Sequence, residues 1–170
     1  GNIAGVGFAT YCNMLEDTVS RLRAERENKP VPKKMPDTTV ELRQDAYLDE
    51  DYIGNEGQKM EIYRRLAVAA SEEELTDLID EVIDRFGSPS RPAERLFLVS
   101  RIRVQARRLG IGSILDEGQT LLIVWADEEP MRRWNMNRLP HSYMSKLHFL
   151  PGAPARVRIK KTDIQGNTAK

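Results

Sequence analysis

Three sets of side chains in this sequence have the types and spacing for chemistry. The first is a run of carboxylates: Glu72, Glu73, Asp77, Asp80, Glu81 and Asp84. Carboxylates do general acid–base work when burial raises the pKa of one of them, and nothing in this sequence foreshadows such burial. On a helix they make a rigid anionic surface instead. Glu81 and Asp84, spaced i, i+3, share a face about one turn apart. That face is either ordinary solvated surface or a docking surface, where Glu81 and Asp84 receive arginines from a partner beside Asp77 and Asp80. The second set is Arg101, Arg103, Arg107 and Arg108, with Arg91 and Arg95 upstream. This is either a phosphate-binding stripe for nucleic acid or a solvated face partly paired with the acidic run. No base-reading motif or interleaved aromatics accompany the arginines, which favours the solvated face. The third set is His141, His148 and Cys12, whose spacing does not suit a metal, so no metal site is expected. The chain has no Gly-rich phosphate loop and no nucleophile elbow. The piece at hand is therefore expected to hold no cofactor and to catalyse nothing.

The acidic run must be positioned by a helix. Ser71 and Glu74 form a capping box, and Leu75, Leu78, Ile79, Val82, Ile83 and Phe86 repeat at helical spacing until Gly87 and Pro89 end the pattern. A preceding helix is expected over about 58–70, with Met60, Tyr63, Leu66, Ala67 and Ala70 inward. The arginines lie on a third helix. Pro92 stands at its first position, Ala93, Leu96, Val99, Ile102, Ala106 and Leu109 form the stripe, and Gly110 closes it. Short connections make these three helices near-antiparallel neighbours.

Strand signals flank the helices. Residues 38–46 alternate, which predicts a half-buried strand. Residues 111–115 and 119–126 predict a hairpin around Asp116-Glu117-Gly118, and the almost wholly apolar Leu121–Trp125 run places its strand centrally, with Trp125 in the core. Two more strands are expected over 146–150 and 155–161, around Pro151-Gly152. Within 127–142 a short helix over 128–136 is one reading, and the role of Trp134 stays open. The expected fold is α+β: a three-helix segment packed on a mainly antiparallel sheet, preceded by a separate amphipathic helix. That first helix, from about Phe8 to Glu27, carries Phe8, Tyr11, Leu15, Val19 and Leu22 on one side. The expected organisation is residues 1–27 as the end of a preceding domain and its helix, 28–37 as a Pro-rich linker, 38–164 as the α+β domain, and 165–170 as a frayed tail.

Of the 170 residues, 31% are charged and 40% hydrophobic, and Lys plus Arg equals Asp plus Glu at 26 each, so net charge argues for neither nucleic acid nor membrane. The balance hides a polarity. Residues 45–84 hold 13 acidic side chains against 3 basic, and residues 85–170 hold 16 basic against 7 acidic. Such asymmetry favours oriented docking, within one molecule or between two. One cysteine excludes an internal disulfide framework and suits a reducing cytoplasm. No apolar run has the length of a membrane span. The start at Gly1-Asn2, without Met, suggests a piece of something longer.

Several blocks resemble one known family, the bacterial transcription-repair-coupling factors (Mfd). They are Gly1–Phe8 with Tyr11, Met14, Leu15 and Glu16; Asp45–Leu48 with Asp51–Ile53; Gln58-Lys59 with Tyr63–Leu66; and Glu73–Leu75 through Asp84–Gly87. The block Ile83–Gly87 with Leu109–Ile111 is the most specific. The resemblance implies the end of a motor domain, a hook-like helix and a C-terminal regulatory domain. It implies a cytoplasmic parent that translocates on double-stranded DNA using ATP and Mg, displaces stalled RNA polymerase and recruits the repair protein UvrA. In that family the C-terminal domain is a clamp over the UvrA-binding surface of an N-terminal repair module. Carboxylates at the positions of Glu81 and Asp84 there face arginines of that module.

Overall fold

The computed structural model describes residues 38–127 and 139–165. The expected first helix, the linker, the 128–136 helix, Trp134 and residues 166–170 lie outside them. The described residues are α+β: five helices and a five-stranded mixed sheet, in the order β1 (Thr39–Glu41), α1 (Glu56–Val68), α2 (Glu72–Phe86), α3 (Arg91–Arg108), β2 (Ile111–Asp116), β3 (Thr120–Trp125), α4 (His141–Met144), β4 (Leu147–Leu150), β5 (Arg156–Lys160) and α5 (Lys161–Gln165). They fall into two compact units. One holds residues 44–105; the other holds 38–43 with 106–127 and 139–165.

In the first unit the helix ends follow local chemistry. The Asn55 side chain accepts from the Gln58 N–H at 3.0 Å and starts α1 two residues before the sequence pattern does. Ser71 accepts from the Glu74 N–H at 3.1 Å, while Glu74 accepts from the Ala70 N–H at 2.9 Å, a capping box that reaches one residue further back than usual. Gly87 ends α2 at φ 82°, a conformation that favours glycine. Leu75, Leu78, Ile79 and Val82 of α2 pack with Ile62, Tyr63 and Leu66 of α1 and with Ala93, Leu96, Phe97 and Val104 of α3. Each Val, Leu, Ile or Phe among them contributes about 1.5–3 kcal/mol on full burial. Leu48 and Ile53 complete this core, and the Leu48 N–H donates to the Tyr63 hydroxyl at 2.7 Å.

The helix stripes differ in detail from their sequence patterns. Met60 (37% exposed) and Ala70 face solvent, while Ile62 and Ala69 are buried in their place. Ile83, at 36% exposed, falls outside the buried stripe of α2. α3 starts at Arg91 with Pro92 second, and its buried face takes in Phe97, Ser100, Arg103 and Val104 as well as Leu96 and Val99. The buried residues of α3 span about half of its circumference, against about 100° on α2, so its buried arc is wider than one stripe.

The second unit is the sheet, ordered β1-β2-β3-β5-β4. β3 is the middle strand, as its apolar run predicts. β1 pairs parallel with β2, and the other three pairings are antiparallel. The parallel pair follows from the chain order, because the whole helical segment intervenes between β1 and β2. β1 is much shorter than the alternation over 38–46 predicts. Its ladder ends at Glu41, and the Arg43 N–H instead donates to the Asp116 carboxylate at 3.1 Å. The β2–β3 turn closes through Gly118 at φ 94°, with its N–H on Asp116 at 2.8 Å. The short α4 and α5 have no sequence signal of their own.

Candidate docking surface

α2 presents two opposite faces. At about 100° per residue, Glu73, Asp77, Asp80 and Asp84 fall within an arc of about 60°, directly opposite the arc of Leu75, Leu78, Ile79 and Val82. The four carboxylates are all exposed. With spacing i, i+4, i+7, i+11 they form a straight ridge about 16 Å long. Among the described residues none of the four makes an ion pair.

The remaining carboxylates of the acidic run do structural work. Glu81 receives both guanidinium nitrogens of Arg65, at 2.9 and 2.7 Å, and Arg85 at 3.1 Å. The Arg65 hydrogen bond and then the Arg85 one hold its carboxyl down at about 2, and Arg65 is raised in return. Glu81 thereby ties α1 to α2 and sits at the border of the ridge. Glu72 accepts from Arg101 and, at 3.0 Å, from Gln105, tying α2 to α3. The C-terminal end of α2 is steadied as well. Arg85 lies 5.1 Å over the Phe86 ring, Tyr52 packs edge-on to Phe86 at 6.4 Å, and the Tyr52 hydroxyl donates to the Gly87 carbonyl at 3.1 Å. The ridge therefore rides on a helix fixed along its length, which presents charge in a set geometry.

The arginines do not form one stripe. Arg101 is held by Glu72 and by the Thr76 hydroxyl at 3.3 Å. Arg103 is only 3% exposed, and its guanidinium donates to the Leu66 carbonyl at 2.8 Å and the Ala69 carbonyl at 3.4 Å. It caps the last carbonyls of α1, which would otherwise be buried without donors. Arg103 is therefore not a surface cation, and the nucleic-acid stripe weighed as the alternative loses one of its four members. Arg107 is half-buried and Arg108 exposed, and both belong to the sheet unit. His141 and His148 are exposed. Among the described residues no group of three or more His, Cys, Asp or Glu is placed to hold a metal, and no helix is long and apolar enough to cross a membrane.

Sequence reasoning identified Glu81, Asp84, Asp77 and Asp80 as one face, and the structure divides them. Asp77, Asp80 and Asp84 are brought together with Glu73, while Glu81 is turned to Arg65. Arg65 and Arg103 were missed as fixing residues. No local signal marks either, because their partners lie 16 and 37 residues away.

The family model of the TRCF domain matches residues 42–135. A transcription-repair-coupling factor from Staphylococcus epidermidis is 41% identical over 124 residues, 73% of this chain and 10% of its own length. That of Escherichia coli strain K12 is 38% identical over 111 residues, covering 65% of this chain and 10% of its own. That of Mycobacterium tuberculosis is 34% identical over 120 residues, covering 67% and 10%. The chain thus spans about a tenth of the length of these relatives. A crystal structure of the C-terminal domain of a transcription-repair coupling factor superposes with a TM-score of 0.62 at 18% identity, over 75% of this chain and 84% of that one, and shares its fold.

Proposed function

This chain belongs to the TRCF domain family, and from that premise we propose that its acidic helix is the docking face of a regulatory clamp. The clamp closes on a basic surface of an N-terminal repair module in the same longer protein, masks the site where UvrA binds, and releases it when RNA polymerase and double-stranded DNA are engaged. ATP hydrolysis with Mg belongs to a motor elsewhere in that protein, which is cytoplasmic. The observation that supports the reading is the exposed ridge of Glu73, Asp77, Asp80 and Asp84, unpaired among the described residues and mounted on a helix fixed from both sides.

Arginines on the partner would meet Asp84, Asp80 and Asp77 directly. At Glu81 they would compete with Arg65 and Arg85. A tethered contact needs little intrinsic affinity, because the linker keeps the local concentration high. Losing a few charged contacts shifts such a closed–open equilibrium by about 1–3 kcal/mol. The test is titration of this chain against the separately expressed repair module, comparing wild type with Glu81→Lys/Asp84→Lys and with Asp77→Lys/Asp80→Lys/Asp84→Lys. Loss of binding in both variants is the expected result. Unchanged binding by the triple variant overturns the reading. A second reading, a DNA-binding module using Arg101, Arg103, Arg107 and Arg108, gains no support from the buried Arg103 or the paired Arg101. A salt-dependent DNA titration in parallel distinguishes it.

A further inference from the structure

The outer edge of the sheet combines three features that together define a ligand. The first is an available strand edge: β4 is the last strand and, among the described residues, pairs only with β5. Its outward backbone groups are a template for a further strand. The second is an apolar layer that ends too early. The register puts Leu147 opposite Ile159 and Phe149 opposite Val157, with Leu121 and Ile123 of β3 next in the same rows. Val157, inside the sheet, is 1% exposed, whereas Phe149, one strand further out on the same face, is 43% exposed. Tyr143, just before the strand, is exposed too, and Lys146 lies 6.0 Å over its ring while donating to the Asp163 carbonyl at 2.8 Å.

The third feature is the charge of the other face. There His148 stands opposite Arg158 and Leu150 opposite Arg156, with Lys160 two residues further along β5. Neither β4 nor β5 contains a carboxylate. Arg158 reaches Glu117 at 2.8 Å and Arg156 reaches the Pro151 carbonyl at 2.7 Å, so both guanidinium groups are held close to the sheet.

We propose that β4 is a docking edge for an extended segment of a partner whose side chains alternate apolar and acidic. Main-chain hydrogen bonds to β4 would supply affinity, as in other strand additions, and the alternation would supply selectivity. Apolar residues of the incoming strand cover Phe149 and continue the apolar layer. The carboxylates between them fall on the opposite face, beside His148 and within the field of Arg156, Arg158 and Lys160. Charge complementarity favours this occupant over a second copy of the chain, because an acidic strand beside β4 lies about 10 Å from the β5 strand that carries Arg156, Arg158 and Lys160, whereas a second β4 brings no carboxylate to that face.

The test uses the full chain with a fluorescent peptide of alternating glutamate and isoleucine. Controls are a peptide of the same composition in blocks and a single-stranded DNA oligonucleotide. Anisotropy measures binding, and hydrogen exchange reads the amides of Leu147–Leu150. The expected result is binding of the alternating peptide with slowed exchange in β4. Phe149→Ser weakens it by roughly tenfold. His148→Glu, on the opposite face, shifts preference towards an alternating lysine–isoleucine peptide. The His148 variant keeps the test alive if Phe149→Ser loses its fold. No binding, equal binding of the block peptide, binding without protection of β4, protection by the oligonucleotide instead, or self-association through β4 each overturns the proposal.

Discussion

α2 and α3 are both rich in charge and both amphipathic in sequence, yet their charges meet opposite fates. On α2 the charges of Glu73, Asp77, Asp80 and Asp84 stay outside in a straight ridge, while on α3 Arg101 and Arg103 are drawn into the helical unit. Two physical differences account for this. α2 buries an arc of about 100°, so much of its surface remains free; α3 buries residues over about half of its circumference, and that arc takes in the charged position Arg103. The side chains differ too. A short carboxylate on the far face of a helix has nothing to reach, whereas the long arginine fork bends back to carbonyls and carboxylates several ångströms away. Charge in a sequence is thus a poor guide to charge on a surface until the width of the buried arc is known.

The largest expected effect bears on the inner side of this comparison. Leu75→Ala should cost about 2–5 kcal/mol in urea unfolding, because Leu75 is fully buried and the three helices have little room to collapse on the cavity. Arg103→Ala should cost about 1.5–3 kcal/mol, since it strips the Leu66 and Ala69 carbonyls of a charged donor. A fully stable Arg103→Ala that instead loses DNA affinity would break the contrast and return the arginine helix to the surface. Ser71→Ala should cost about 1 kcal/mol through the lost cap of α2.

Smaller effects sharpen the outer side. Asp77→Asn/Asp80→Asn/Asp84→Asn should leave unfolding within about 0.5 kcal/mol of wild type, because these carboxylates are exposed and make no ion pair among the described residues. The same variant should lose affinity for the repair module. Glu81 supplies a pH-dependent contrast. Its carboxyl is lowered from 4.5 to about 2 by Arg65 and Arg85, so its contribution is present above pH 4.5 and fades as the pH falls towards 2. The stability difference between wild type and Glu81→Gln should therefore be flat between pH 7 and 5 and shrink below 4.5. A difference that persists unchanged at pH 2 would show that the Arg65–Glu81 contact contributes nothing through charge.

Much of this molecule follows from local pattern. The stripe of α2, its Ser71 start and Gly87 stop, the β2–β3 hairpin, the central β3 and the buried Trp125 all follow from residues within a few positions of one another. Capping, turn conformation and side-chain periodicity act at that range. The α+β class and the acidic face of α2 were legible for the same reason. Tertiary structure alone decided which carboxylates stay free, because Arg65 meets Glu81 and Arg101 meets Glu72 only once the helices are packed. It also decided that Arg103 serves the end of α1, and that Phe149 lies on the edge strand of the described sheet rather than within it. These outcomes depend on which distant segments become neighbours. No spacing along the chain encodes that by itself, since contact across a fold costs chain entropy that only the assembled core repays.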